Sequence, residues 1–429
     1  MRGDSLVKHV KIGPSGRRLQ AMHVFLFFMA SAGVSCAQEA LRSAIEADKN
    51  YRTRETVRYE KAEQIQVGQV ILSAGASYSV EWNDNIYYRP SDAEDDFIHS
   101  ARGNLSGFWP VTRSSFLSFG IGIGYQLYTE HSELSRLLIA PGSELAWDIE
   151  LEDFGVTVFD RIEYSQDVLG QPGISGVARF PRLENTVGLR ARWHPKRWVF
   201  EAGYSHFNFV SWAEEYDYLD RSAEQFVGRA GYRVAPRTIV GIEATAELTD
   251  FDSASAIDST GMSVGPFVQW QLTRDIELGL RGGYVWYSYE DEPVQVGSGD
   301  VRSYYCALDA RHRLTRAITH SLVVERHVTY SFWLGGRFME LLSVNYGYNW
   351  AFYRFAGLNL GFFYQRGDQP VQLGDSEKFD RYGLSAGLSY QLLRRLSAGA
   401  SYRFVERDSD EDRLDYTQNA VVLSLNYRF

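Results

Sequence analysis

The chain has 429 residues, a formal net charge of −10, 45% hydrophobic residues and 23% charged residues. That acidity argues against nucleic acid as a partner, and no apolar stretch approaches the ~20 residues a membrane helix needs. Aromatic residues reach 14%, and 38 glycines stand against 11 prolines. A membrane barrel stays open, because its strands hide their apolar residues by alternation.

Residues 1–37 read as an export signal. Arg2, Lys8, Lys11, Arg17 and Arg18 stand against a single acid, Asp4, and the apolar run Val24–Val34 follows. That run is too short to span a bilayer as a helix but suits a signal-peptide core. Ser35-Cys36-Ala37 offers small residues for cleavage before Gln38. Met22 is an alternative start, which leaves only His23 as a basic group ahead of the core. Cys36 raises a lipoprotein alternative, but Gly33 stands where a leucine is usual. After cleavage only Cys306 remains, so no internal disulfide forms. Residues 38–69 are polar and charged. They suit a periplasmic segment with a short helix near Ala40–Ala47, with a lumenal plug or a flexible leader as alternatives.

From residue 70 the chain alternates. Val70, Leu72, Ala74, Ala76, Tyr78, Val80 and Trp82 share one parity, and Ser73, Gly75, Ser77, Ser79 and Glu81 share the other. Successive side chains of a strand point to opposite faces. Such segments recur near 70–82, 97–109, 116–128, 143–151, 154–165, 183–193, 198–209, 223–234, 238–249, 262–272, 276–288, 302–314, 318–328, 339–350, 355–365, 382–392, 396–406 and 418–429. They exceed the five or six residues of a typical soluble strand and match the ~9–11 of an outer-membrane strand. The expected fold is all-β, a transmembrane antiparallel up-and-down β-barrel over 70–429. It has about 18 strands, with 16 and 20 as neighbouring even counts.

Connections alternate in length. Short turns such as Glu152–Asp153, His194–Arg197 and Thr273–Asp275 separate long loops at 83–96, 129–142, 166–182, 210–222, 289–301, 366–381 and 407–417. In this architecture short turns face the periplasm and long loops face outside. The 166–182 loop contains glycine and is mildly apolar; an ordinary surface loop is expected, and an inward constriction is the alternative. The acidic loops around Asp84–Asp96 and Asp408–Asp415 lack EF-hand spacing. They read as solvated surface, and no metal or cofactor is expected.

Trp109, Trp147, Trp193, Trp198, Trp270 and Trp350 lie on the apolar parity near short turns, and Trp82 and Trp286 near long loops. These suit two aromatic girdles at the membrane interfaces. The opposite parity carries the candidate pore-lining charges Arg161, Glu163, Arg190, Arg229, Arg233, Glu243, Arg281, Asp309, Arg311, Glu325 and Arg403. Rings of such charge set ion selectivity, unless they pair and brace the wall. Lumenal aromatics are Phe108, Tyr128, Phe159, Phe267, Tyr287, Tyr305 and Phe363; they form no contiguous stripe that would guide a sugar chain. No HExxH, Walker loop or nucleophile elbow is present. His320 and Ser321 are adjacent, which puts them on opposite faces of a strand, so no enzyme is expected.

The last strand alternates Val421, Leu423, Leu425, Tyr427 and Phe429 with Ser424, Asn426 and Arg428. It resembles the terminal strand of outer-membrane barrels, a resemblance that implies recognition of Tyr427 and Phe429 by the barrel-assembly machinery. The first hairpin, Tyr78-Ser79-Val80-Glu81-Trp82-Asn83-Asp84-Asn85-Ile86-Tyr87, resembles the β-barrel porin family often associated with exopolysaccharide gene clusters. The resemblance implies an outer-membrane pore for small solutes or exported polysaccharide, in contact with outer-membrane lipid and lipopolysaccharide. Two other functions compete with it. One is a plugged barrel that anchors a surface or secretion complex; the other is an outer-membrane hydrolase.

Overall fold

The structure, a computed structural model, describes residues 65–253, 258–289, 300–332, 338–370 and 376–429. The export signal, Cys36 and nearly all of the polar segment that follows lie outside the described residues. The strands are β1 (Ile65–Val67), β2 (Val70–Asn83), β3 (Asp96–Pro110), β4 (Ser115–Tyr128), β5 (Arg136–Leu151), β6 (Phe154–Ser165) and β7 (Arg182–Trp193). They continue with β8 (Trp198–Ser211), β9 (Arg221–Ala235), β10 (Thr238–Phe251), β11 (Ser259–Gln271), β12 (Ile276–Tyr289) and β13 (Val301–Arg313). The last are β14 (Ile318–Thr329), β15 (Met339–Tyr353), β16 (Ala356–Pro370), β17 (Ser376–Leu393), β18 (Leu396–Ser409) and β19 (Tyr416–Arg428).

β2 to β19 each pair antiparallel with their neighbours in sequence, and β19 returns to pair with β2. The result is a closed barrel of eighteen strands. Closure leaves no free edge, as a strand protein in lipid requires. The alternation is inside out relative to a soluble core. Leu423, Leu388 and Ile242 are 55–60% exposed on the outer face, whereas Arg190, Arg229, Glu243 and Gln418 on the inner face are buried. No helix among the described residues is long and apolar enough to cross a membrane.

All eighteen expected segments are strands, but several run further toward the long-loop end. β5 begins at Arg136 and β17 at Ser376, inside stretches expected to be loop. In β17, Glu377, Phe379 and Arg381 are buried while Ser376 and Lys378 are exposed. The period of two persists there, but polar residues occupy both faces, so hydropathy alone does not reveal it. β1 was not expected; it forms a hairpin with the foot of β2.

The seam between the first and last barrel strands spans nine pairs, Ala420↔Asn83 to Arg428↔Gly75. At the short-turn end the Phe429 amide donates to the Ala74 carbonyl (3.0 Å), and β1 continues the pairing along β2. At the long-loop end the Asn83-Asp84-Asn85-Ile86 turn clasps β19. Asp84 accepts from the Asn419 amide (2.6 Å) and side chain (2.7 Å). The Asn85 side chain donates to the Thr417 and Arg89 carbonyls and accepts from the Arg89 amide. Ile86 is buried with Ile98, Tyr128 and Leu134. The hairpin motif therefore ties the ring shut.

Candidate functional site: the lumen and its outer mouth

Charges on the inner wall of β5 to β10 meet in register. Glu201, Arg229 and Glu243 are direct cross-strand partners on β8, β9 and β10. Arg229 donates to Glu243 (3.2 Å) and pairs with Glu201 (3.6 Å), and Arg190 on β7 pairs with Glu201 from the other side. Arg161 and Glu144 pair at 3.1 Å on β6 and β5. These side chains are nearly buried, because they lie along the wall and cover one another. Tyr305 on β13 adds its hydroxyl to Glu243 (3.3 Å). Further round, Arg403 pairs with Glu81 (3.0 Å) across the β18–β19–β2 seam. Arg281 approaches Asp309 at 3.7 Å. Glu163 and Glu325 are half-buried, and Arg233 and Arg311 are exposed near the short turns.

Four of the lumenal aromatics cover glycines of the neighbouring strand. Phe159 faces Gly188, Phe267 faces Gly241, Tyr287 faces Gly261 and Phe363 faces Gly383, each pair in direct cross-strand register. A side chain at any of these glycines would collide with the facing ring. Each ring occupies the space its partner leaves empty, as aromatics do over strand glycines.

Packed side chains reach into the lumen at the long-loop end. The loop at 166–181, expected to lie on the surface, folds inward instead. Val168, Gln171, Ile174 and Phe180 are all under 7% exposed. Val168, Ile174 and Phe180 join Phe207 and Phe209 of β8, Ala223 of β9, Val405 of β18 and Tyr416 of β19 in one apolar cluster. β8 and β9 stand half the ring away from β18 and β19, so the cluster spans the lumen. Phe180 makes ring contacts with Phe209, Tyr216 and Phe332.

Arg136 and Arg182 bond the loop's ends at Gln166, Asp167 and Phe180, and three side chains of β16 to β18 hold the carbonyls between them. Arg381 donates to Leu169 (2.6 Å), Arg407 to Pro172 (3.4 Å) and Gln369 to Gly173 (3.3 Å). Arg407 also pairs with Glu377 at 2.6 Å with both side chains fully buried, and its guanidinium lies 4.2 Å from the centre of the Phe379 ring. Buried backbone carbonyls need donors, and these residues supply them. None of the three was singled out from sequence, because their stretches read as loop. The alternation Glu377, Phe379, Arg381 is the signal that would have found Arg381.

On the outer face, Trp109, Trp147, Trp193, Trp198, Trp270 and Trp350 are 39–49% exposed at the short-turn end. Trp82 is half-buried and donates to Asp95 (3.1 Å), and Trp286 is half-buried. Tyr427 and Phe429 are both exposed and in edge-to-face contact. His320 bonds Tyr346 (2.6 Å) on the outer face, while Ser321 pairs in register with Gly347. The acidic hairpin side chains are engaged locally. Asp96 accepts from the Thr129, Glu130 and His131 amides, and Glu94 meets Arg89 and His131.

Residues 61–429 match the family model described as "Putative beta-barrel porin 2". The chain belongs to this family. It is a porin-like barrel of the bacterial outer membrane. No curated protein matches it. Similar solved structures include OprD of Pseudomonas aeruginosa, at 16% identity and TM-score 0.46, covering 83% of this chain and 95% of that one. OpdK of Pseudomonas aeruginosa has 13% identity and TM-score 0.45, with 83% and 99% covered. OccAB3 of Acinetobacter baumannii has 13% identity and TM-score 0.44, with 83% and 99% covered.

Proposed function

We propose that this porin is a restricted channel for small polar solutes, in which the 166–181 loop closes the outer mouth until it moves. The observation that carries the reading is the apolar cluster spanning the lumen, pinned by Gln369, Arg381 and Arg407. An eighteen-strand ring is wide enough to leave an aqueous lumen unless something fills it. The paired charges from β5 to β10 brace the wall. The exposed lumenal groups Arg233, Arg311 and Asp309 then set ion selectivity. No catalytic step belongs to this reading, since His320 and Ser321 face opposite sides of the wall.

The exposed tryptophans would sit at lipid and lipopolysaccharide interfaces, and Tyr427 and Phe429 would present the terminal strand to the assembly machinery. Export of polysaccharide draws no support from Phe159, Phe267, Tyr287 and Phe363, whose rings pack against facing glycines. The test is planar-bilayer conductance. The wild-type barrel should show small or intermittent steps, and replacing 168–178 by a short Gly/Ser linker should give larger, steady ones. A wild-type barrel already steadily open, with conductance unchanged by the replacement, would overturn the reading.

A further inference from the structure

Among the described residues, the β13–β14 ladder stops short of the ladders on either side of it. The β13–β14 ladder runs from Arg313↔Thr319 up to Cys306↔Arg326 and stops after eight pairs. β13 nevertheless continues to pair with β12 up to Val301, and β14 with β15 up to Thr329. The two strands therefore fork. Val328, which the alternation of β14 puts on the outer face with Arg326, is fully buried against Val285, Tyr287 and Tyr330. Beyond it the Tyr330 hydroxyl reaches across to Thr249 (3.0 Å) and Ser259 (3.1 Å) on β10 and β11. The top of β14 has left the cylinder and leans into the lumen.

A side chain fills the fork. The Arg326 guanidinium donates to the Tyr304 carbonyl, to the Ser303 hydroxyl (3.1 Å) and to Glu340. It also lies 3.8 Å from the centre of the Tyr304 ring. Unsatisfied backbone groups are costly in a bilayer, and here an arginine takes the place of the missing ladder partner. An arginine can swing away, whereas a strand ladder cannot open without breaking many bonds. His312 to Cys306 is six residues, which at ~3.3 Å each and 35–45° tilt puts the fork about 15 Å above the short-turn end. That height lies in the outer half of the ~25 Å apolar band. Behind the fork Val285, Tyr287, Val328 and Tyr330 form an apolar cluster, with Arg221, Glu247 and Thr249 at its polar rim.

We propose that the β13–β14 fork is a lateral portal, latched by Arg326, through which the hydrocarbon chain of an amphiphilic solute passes between lumen and outer leaflet. The portal is separable from the mouth loop, because conductance reads the loop and lipid labelling reads the portal. The test uses the wild-type barrel in liposomes with a long-chain fatty acid bearing a diazirine at its chain end. After irradiation, adducts are mapped by mass spectrometry. Adducts should appear on the inward residues Val328, Tyr330 and Tyr287, and an excess of unmodified fatty acid should reduce them several-fold by mass action. Arg326→Met should raise inward labelling several-fold. Inward adducts that competitor does not reduce, adducts confined to outward residues such as Tyr304 and Cys306, or no adducts at all would overturn the portal whether or not the variant folds.

Discussion

A glycine facing an aromatic is the recurring residue-scale device of the inner wall. Strand glycine costs conformational entropy and leaves a hole in the packing. The facing ring fills that hole and shields the backbone. Gly261 under Tyr287 has no room for a methyl group, whereas Gly228 has open space around its Cα. Gly261→Ala should therefore destabilise the barrel by about 1–3 kcal/mol through overpacking, and Gly228→Ala should be near neutral. Urea titration of both variants in lipid measures this, and equal midpoints would refute the packing account. The glycines and aromatics were visible in sequence. Their pairing was not, because it depends on register between strands, which a linear pattern does not contain.

At the scale of elements, the long-loop hairpins are tied together by charged groups. His131 stands in the turn after β4 and bonds Asp96 (3.0 Å) and Glu94 (2.8 Å). Desolvation pulls its pKa down, but the two carboxylates outweigh that and hold it above the ordinary 6.5. A raised folded-state value means the clasp is fully effective below pH 6.5 and weakens as pH rises through the folded-state pKa. Limited proteolysis across 129–135 should accelerate, relative to unfolded substrate, as pH rises through that value. His131→Gln should remove the dependence; an NMR titration placing His131 at or below 6.5 would contradict it. The same scale explains the loop at 166–181. Its composition was compatible with a surface position, and its buried place follows from partners on β8, β16, β17 and β18. No property of the loop's own seventeen-residue neighbourhood (166–182) names those partners.

For the whole molecule, ring closure converts a weak repeated pattern into a compartment with two faces. Closure also separates charges that support the wall from charges that meet solvent. Arg229 is locked between Glu201 and Glu243, so removing it would leave the buried Glu243 without its cation and Glu201 with Arg190 alone, and cost stability. Arg233 and Arg311 are exposed inside the barrel. Arg233→Glu with Arg311→Glu should shift selectivity toward cations, by the field of the charged ring. Reversal potentials across a salt gradient read the shift, and an unchanged potential would place both residues off the conduction path.

The sequence by itself determined an even-numbered barrel of about eighteen strands and the parity of each face, because a period of two repeated over membrane-length segments has few other solutions. It also marked the hairpin Asn83-Asp84-Asn85-Ile86 without saying what the motif does. Only the tertiary structure decided that this motif clasps the seam, that Arg229 is paired, that the 166–181 loop spans the mouth and that β14 parts from β13. Each of these depends on contacts between residues far apart in the chain. Alternation fixes which way a side chain points, and leaves open what it meets there.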